Sequence, residues 1–395
     1  MKTSSFLHVR ALAVMVLVFV GSRYAAVVAE RTVQNQERKA MRKARERACK
    51  VYCSGDLLDA VQRYHIFNDS KYFVDMPMKH DPEQILSLFQ QLPRPLTRKA
   101  LAEFVTSNFF DAGSDVVSCV PEDWTEKPFL LSKLRSKESI AWADDLNQKW
   151  KILGRRTAES VAKYPHRTST LHRALPFIIP GGRFRESYYW DTYWIILGLI
   201  ECDMVKTSKH IVLNLLQDVE TFGFVPNGGR VYYTTRTQPP LLTKMVEAVY
   251  LADSKGGEEG KKDTTFLARA LPILDAEYDF WMSSKNGRLV SVPVPGTRES
   301  VRLNRYFSKD NTPRPESYRE DIDTIGKKGG GGGGGKTIAR EIRAAAESGW
   351  DFSSRWMMQE GRGGECSCDD DSVFSLDVMI SYVAIYCSKV QEWML

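Results

Sequence analysis

From Asp56 onward the apolar residues recur mostly at three- and four-residue steps, and that spacing constrains the fold more than any other feature of the chain. Met204 to Val219 carries Val205, Ile211, Val212, Leu215, Leu216 and Val219 on this period, and Leu241 to Ala252 and Phe266 to Met282 behave alike. Loops rich in Pro, Gly and Asn separate them, such as Phe222 to Arg230 and Val292 to Ser300. Strand-like alternation is scarce, with Arg230 to Thr235 the best short candidate. Helix pairs joined by loops predict an all-α domain, and periodicity alone does not choose a toroid over a bundle. With 43% hydrophobic and 26% charged residues the chain can bury a large core.

The first 50 residues follow another pattern. Lys2 and Arg10 precede an apolar run, Ala11 to Val20, and Val27-Val28-Ala29 offers small residues before Glu30, the order of a secretory signal peptide over 1–29. The run falls short of the roughly 20 residues that span a bilayer. Residues 30–50 form a basic arm, read as a solvated segment in preference to a nucleic-acid site; the formal net charge is only +6. Asn68-Asp69-Ser70 is a glycosylation sequon at Asn68. The cysteine spacings, Cys49/Cys53 and Cys366/Cys368, match no zinc pattern with nearby His, so no metal is expected.

Seven glycines within 327–336, followed by Thr337, give a literal phosphate-loop match. A nucleotide site also needs an apolar strand before the loop, and Tyr318 to Lys328 is largely polar, so a flexible insert is expected and no nucleotide.

The chemistry-bearing residues concentrate in four segments. Pro180 to Trp194 (PGGRFRESYYWDTYW) packs two arginines, Glu186, Asp191 and six aromatics around a Gly-Gly turn. Trp190 and Tyr193 can stack on sugar rings, and Asp and Arg side chains can bind hydroxyls in bidentate fashion; the same residues could also be core aromatics with salt-bridged arginines. Pro226 to Pro240 presents Asn227, Arg230, Arg236 and Gln238; Pro313 to Asp321 presents Arg314 and Glu316. Glu347 to Trp356 (ESGWDFSSRW) sets Asp351 between Trp350 and Phe352, where aromatic surroundings would desolvate the charged carboxyl and suit it to donate a proton. None of the six His lies in these segments, so carboxylate chemistry on a carbohydrate is the natural reading.

These four segments, in this order, resemble the trehalase family, glycoside hydrolase family 37, and Tyr52 to Lys79 is similar to the usual start of its mature enzymes. The resemblance covers about Cys49 to Trp356, with a weaker echo at Ser375 to Met379. It implies an (α/α)6 toroid over 51–395 and inverting hydrolysis of α,α-trehalose to glucose, with no cofactor. It further implies Asp351 as general acid, Arg183, Arg236 and Arg314 as the arginines that hold substrate, and Phe184, Trp190, Asp191, Asn227, Gln238, Glu316 and Gly349 as sugar-site residues. The family's second signature and the glutamate that serves as its base are not found. The toroid is therefore expected to be incomplete at its C-terminal end, and an inactive sugar-binding chain is the alternative. A secreted protein is expected, with membrane attachment left open.

Overall fold

The computed structural model describes residues 36, 38–256, 264–294, 296–328, 334–351, 357–358 and 373–374. The signal-peptide region, glycines 329–333, Phe352, the cysteines from Cys366 onward and the Ser375–Met379 echo lie outside them. The chain divides into two compact units, 1–46 and 47–395. In the first, residues 38–46 are helical.

The second unit is mainly helical, as the spacing predicts. Helices α1 (Asp56–Arg63), α2 (Ser70–Val74), α3 (Pro82–Gln90) and α4 (Arg98–Asn108) bury Leu57, Leu58, Val61, Phe73, Ile85, Phe89, Leu101 and Phe104 in one core. Their starts are chemically marked. The Asp69 carboxylate accepts the Lys71 N–H at the head of α2, and the Thr97 hydroxyl accepts the Ala100 N–H at the head of α4. Tyr188, Val231, Tyr232 and Tyr233 plug into the same core, so two motif loops are rooted in it. Cys49 and Cys53 form a disulfide.

The short helices α5 (Phe129–Lys133) and α7 (Glu159–Lys163) flank the long α6 (Lys137–Leu153). A small antiparallel sheet joins β1 (Val116–Ser118), β2 (Gly154–Thr157) and β3 (Phe177–Ile178) in that order. Helices α8 (Asp191–Glu201), α9 (Val205–Phe222), α10 (Leu242–Gly256) and α11 (Thr264–Trp281) then build the second core, with α9 packed on the other three. Ile196, Leu199, Val212, Leu216, Leu242, Met245 and Val249 are fully or almost fully buried there. Each such side chain contributes about 1.5–3 kcal/mol of transfer free energy. Gly223 (φ 81°) ends α9, its N–H donating to Val219 O at 2.8 Å; that left-handed turn releases the chain into the Pro226 loop.

Two local expectations change. Arg230 to Thr235 is not a strand: Val231–Tyr233 is a 3-10 turn, because these aromatics and Val231 drop together into the core instead of alternating faces. Around the expected Val292 to Ser300 loop, β4 (Leu289–Pro293) and β5 (Ser300–Asn304) pair as an antiparallel hairpin. Helices α12 (Tyr318–Lys328) and α13 (Gly334–Glu347) pack on each other, and Ala344 and Ala345 join Trp281 and Tyr306 in a third core cluster.

Candidate active site

Backbone pairing brings the motif segments together. Gly181 and Phe184 bridge across a tight turn that places Arg183 at its tip. Tyr188 bridges Gly228, Tyr189 N–H donates to Asn227 O at 3.1 Å, and Gly229 N–H donates to Ser187 O at 2.9 Å, so the first two motif loops run edge to edge. Trp190 precedes α8, and its N–H, which has no intrahelical acceptor, donates to Gln238 Oε1 at 3.1 Å. The third segment enters as a 3-10 turn, Pro315–Ser317, and the fourth as the chain leaving α13.

The product is a cavity of about 330 Å³. Its lining includes Arg183, Phe184, Trp190, Asp191, Asn227, Arg236, Gln238, Arg314, Glu316, Gly349 and Asp351, which is every sugar-site and acid residue that the resemblance assigns; Tyr193, offered as a stacking residue, packs instead against the second core. The lining also includes Lys71, Pro180, Tyr188, Tyr233, Ser317 and Ala346, which sequence reasoning missed. Tyr188 lay inside the first motif and was weighed as a core residue; nothing local marks Lys71 or Tyr233, because only folding carries α2 and the 3-10 turn to the cavity wall.

The arginines differ in how they are held. Arg183 is part-exposed and grips Asp69 through Nε (2.8 Å) and Nη2 (2.5 Å). Arg236 is buried, donates to Glu316 Oε1 at 2.7 Å and to Asn227 Oδ1 at 3.4 Å, and lies 5.0 Å from the Tyr233 ring. Its Nε and Nη1, and Glu316 Oε2, are buried without a hydrogen-bond partner among the described residues. Arg314 is clamped by Asp321, at 2.7 Å from Nη2, and its Nη1 lies 3.6 Å from Asp351 Oδ2. Burial would push the Glu316 carboxyl up, but the adjacent Arg236 and Arg314 cations outweigh it and hold it at about 2. Asp191, at the head of α8, is pushed up by burial.

Asp351 keeps 32% of its side-chain exposure and Trp350 is exposed, so the expected aromatic enclosure of the acid is not formed among the described residues. Gly349 (φ 71°) makes the close approach: a Cβ there would meet the Trp190 ring at 2.7 Å. Only glycine accepts both that conformation and that contact. Trp194 is 52% exposed, while Tyr188 and Tyr189 are buried, so the aromatic motif serves core and surface at once.

Arg230 corrects the sequence reading. It was grouped with the presented residues of its loop, yet it is fully buried, with Nη1 donating to Asp115 at 2.7 Å and Nε to Glu186 at 3.3 Å, and Nε lies 3.6 Å from Asp75. Lys71 joins the same cluster, paired to Asp75 and Glu186. Three carboxylates and two cations thus interlock beneath the cavity, where each charge needs its partners.

A helical scaffold thus carries one compact cavity of arginines, carboxylates and aromatic rings. The trehalase family model matches residues 65–370. The chain is 42% identical to trehalase of Homo sapiens over 315 residues, covering 78% of this chain and 51% of that protein. It is 41% identical to trehalase of Tenebrio molitor over 318 residues (80% and 55%), and 40% identical to trehalase of Apis mellifera over 318 residues (79% and 48%). The chain belongs to the trehalase family, and its mainly helical second unit is consistent with an (α/α)6 glycosidase toroid. It spans about half the length of the curated relatives it matches.

Proposed function

We propose that this chain binds α,α-trehalose in the 330 Å³ cavity and supplies the proton-donating side of its inverting hydrolysis to two glucose molecules. The observation that carries this reading is the convergence of four separated segments, 180–194, 226–240, 313–321 and 347–351, on one cavity. In the proposed step Asp351 gives its proton to the glycosidic oxygen as the bond to the anomeric carbon breaks. Water adds to the opposite face of that carbon and loses its proton to a carboxylate base roughly 6.5–9.5 Å away, which is not assigned to any residue here. A sugar filling the cavity excludes water from the reacting bond. Arg183, Arg236 and Arg314 would orient the sugar hydroxyls, with Asn227, Gln238 and Glu316 completing the hydrogen bonds. Phe184, at 41% exposure, and Trp190 would cover the ring faces.

The N-terminal charge and apolar order supports passage through the secretory pathway, and Asn68, exposed just before α2, would carry the glycan. Expression in a secreting cell, followed by the mass of the released chain before and after N-glycan removal, tests both. For the catalytic reading the test is glucose release from trehalose by this chain beside Asp351→Asn. Release that disappears in the variant supports it. Folded protein that binds trehalose without turnover supports the sugar-binding alternative, and folded protein that neither binds nor cleaves it refutes both.

A further inference from the structure

Two tyrosines that the motifs do not assign, Tyr188 and Tyr233, line the cavity, and their hydroxyls are 2.7 Å apart. Neither distance nor burial says which donates. The answer comes from beneath: the Tyr188 hydroxyl donates to Glu186 Oε1, and a phenol has one hydrogen. Glu186 can only accept, because its oxygens face Lys71 Nζ at 2.8 and 3.0 Å and Arg230 Nε at 3.3 Å. With its hydrogen spent on Glu186, Tyr188 must accept from Tyr233, so the Tyr233 hydrogen is spent too. Burial, with the Glu186 charge beside Tyr188 and the Glu316 and Glu186 charges beside Tyr233, pushes both phenols well up, so each keeps that hydrogen at neutral pH.

We propose that Glu186 is a positioning residue that fixes the hydrogen polarity of the Tyr188–Tyr233 pair, leaving Tyr233 to present only an acceptor oxygen to the substrate. An oxygen that only accepts fits a group that gives a hydrogen bond, which on a sugar is a hydroxyl. A fluorine or a carbonyl oxygen takes only, and leaves the Tyr233 oxygen unpaired. This rests on the reading of the cavity as a trehalose site and adds to it a selection rule for one hydroxyl.

The test measures affinities of the full chain for trehalose and its monodeoxy and monodeoxyfluoro analogues by calorimetry. At one ring position both analogues are expected to bind about tenfold weaker than trehalose, the fluoro compound no better than the deoxy one. Tyr233→Phe is expected to abolish the difference at that position alone. In Glu186→Gln the amide oxygen takes the Oε2 place, 3.0 Å from Lys71 Nζ and 3.3 Å from Arg230 Nε, and the NH2 turns to Tyr188 as Lys71 gives up its 2.8 Å contact there and keeps Asp75. The pair reverses, Tyr233 donates to the cavity, and the fluoro compound now binds better than the deoxy one; a merely structural role for Glu186 would not invert that preference. A wild-type chain that favours fluoro over deoxy at the Tyr233-dependent position, or a Tyr233→Phe chain with unchanged ratios, overturns the proposal even where Glu186→Gln does not fold. Folded wild-type chain that binds no trehalose overturns the sugar reading instead. Neutron diffraction then decides the polarity on its own: deuterium on the Tyr233–Tyr188 line upholds it, and deuterium directed into the cavity refutes it.

Discussion

One loop, Pro226 to Pro240, supplies two buried arginines with opposite fates. Arg230 is sealed among Asp75, Asp115 and Glu186, each fully or almost fully buried, while Arg236 lines the cavity, shares Glu316 and has two buried nitrogens with no hydrogen-bond partner among the described residues. Both are desolvated, so burial alone does not separate a structural charge from one that can serve a ligand. The difference is the count of carboxylates and the place: three surround Arg230, which is not in the cavity lining, whereas Arg236 lines the cavity with one. Burying unsatisfied donors costs free energy, and a sugar that satisfies them recovers it on binding.

The comparison breaks most visibly at Arg230. Arg230→Met leaves Asp75 and Glu186 to Lys71, with Arg185 3.9 Å from Asp75, and takes the cation from Asp115, so urea denaturation should show a loss of about 3–5 kcal/mol. An unchanged midpoint would mean the cluster is not structural. On the cavity side, Asp351→Asn should lower trehalose turnover by about 10²–10⁴-fold while the midpoint stays within about 0.5 kcal/mol, since the side chain is part-exposed.

Two buried glutamates sharpen the contrast. Glu316, between cations, is held at about 2, whereas Glu277 has only the Tyr189 hydroxyl, at 2.7 Å, and burial pushes it up to about 7. The native state therefore binds the Glu277 proton more tightly than the unfolded chain, whose value is near 4.5. That contribution is full below pH 4.5 and is lost as pH rises to about 7. The shift of roughly 2.5 units corresponds to about 3 kcal/mol. Glu316 runs the other way, with its contribution present above pH 4.5 and lost as pH falls toward 2. Unfolding free energies at pH 5 and pH 8 should differ less in Glu277→Gln than in wild type by about that amount; equal differences would show that Glu277 does not titrate with folding. The smallest effect is expected at Gly349→Ala, where a left-handed backbone and the 2.7 Å approach to Trp190 predict about 1–3 kcal/mol of destabilisation and weaker sugar binding.

The sequence by itself determined the helical class, the spans of α9, α10 and α11, and the segments that meet at the cavity, because helix period and chemically dense motifs are local properties of the chain. It did not determine which members of a motif face the cavity. Arg230 and Arg236 look alike in a list of residues, yet six positions along a loop that turns through 3-10 geometry point them to different neighbours. Lys71, Tyr188 and Tyr233 reach the wall only because α2 and the core beneath it bring separate stretches together, and folding sets Arg314 3.6 Å from Asp351, a neighbour that the local sequence does not show. Local pattern sets which elements form; which charge is sealed and which is left open is decided by long-range packing, where partners more than 100 residues apart, such as Asp115 and Arg230, complete or fail to complete each other.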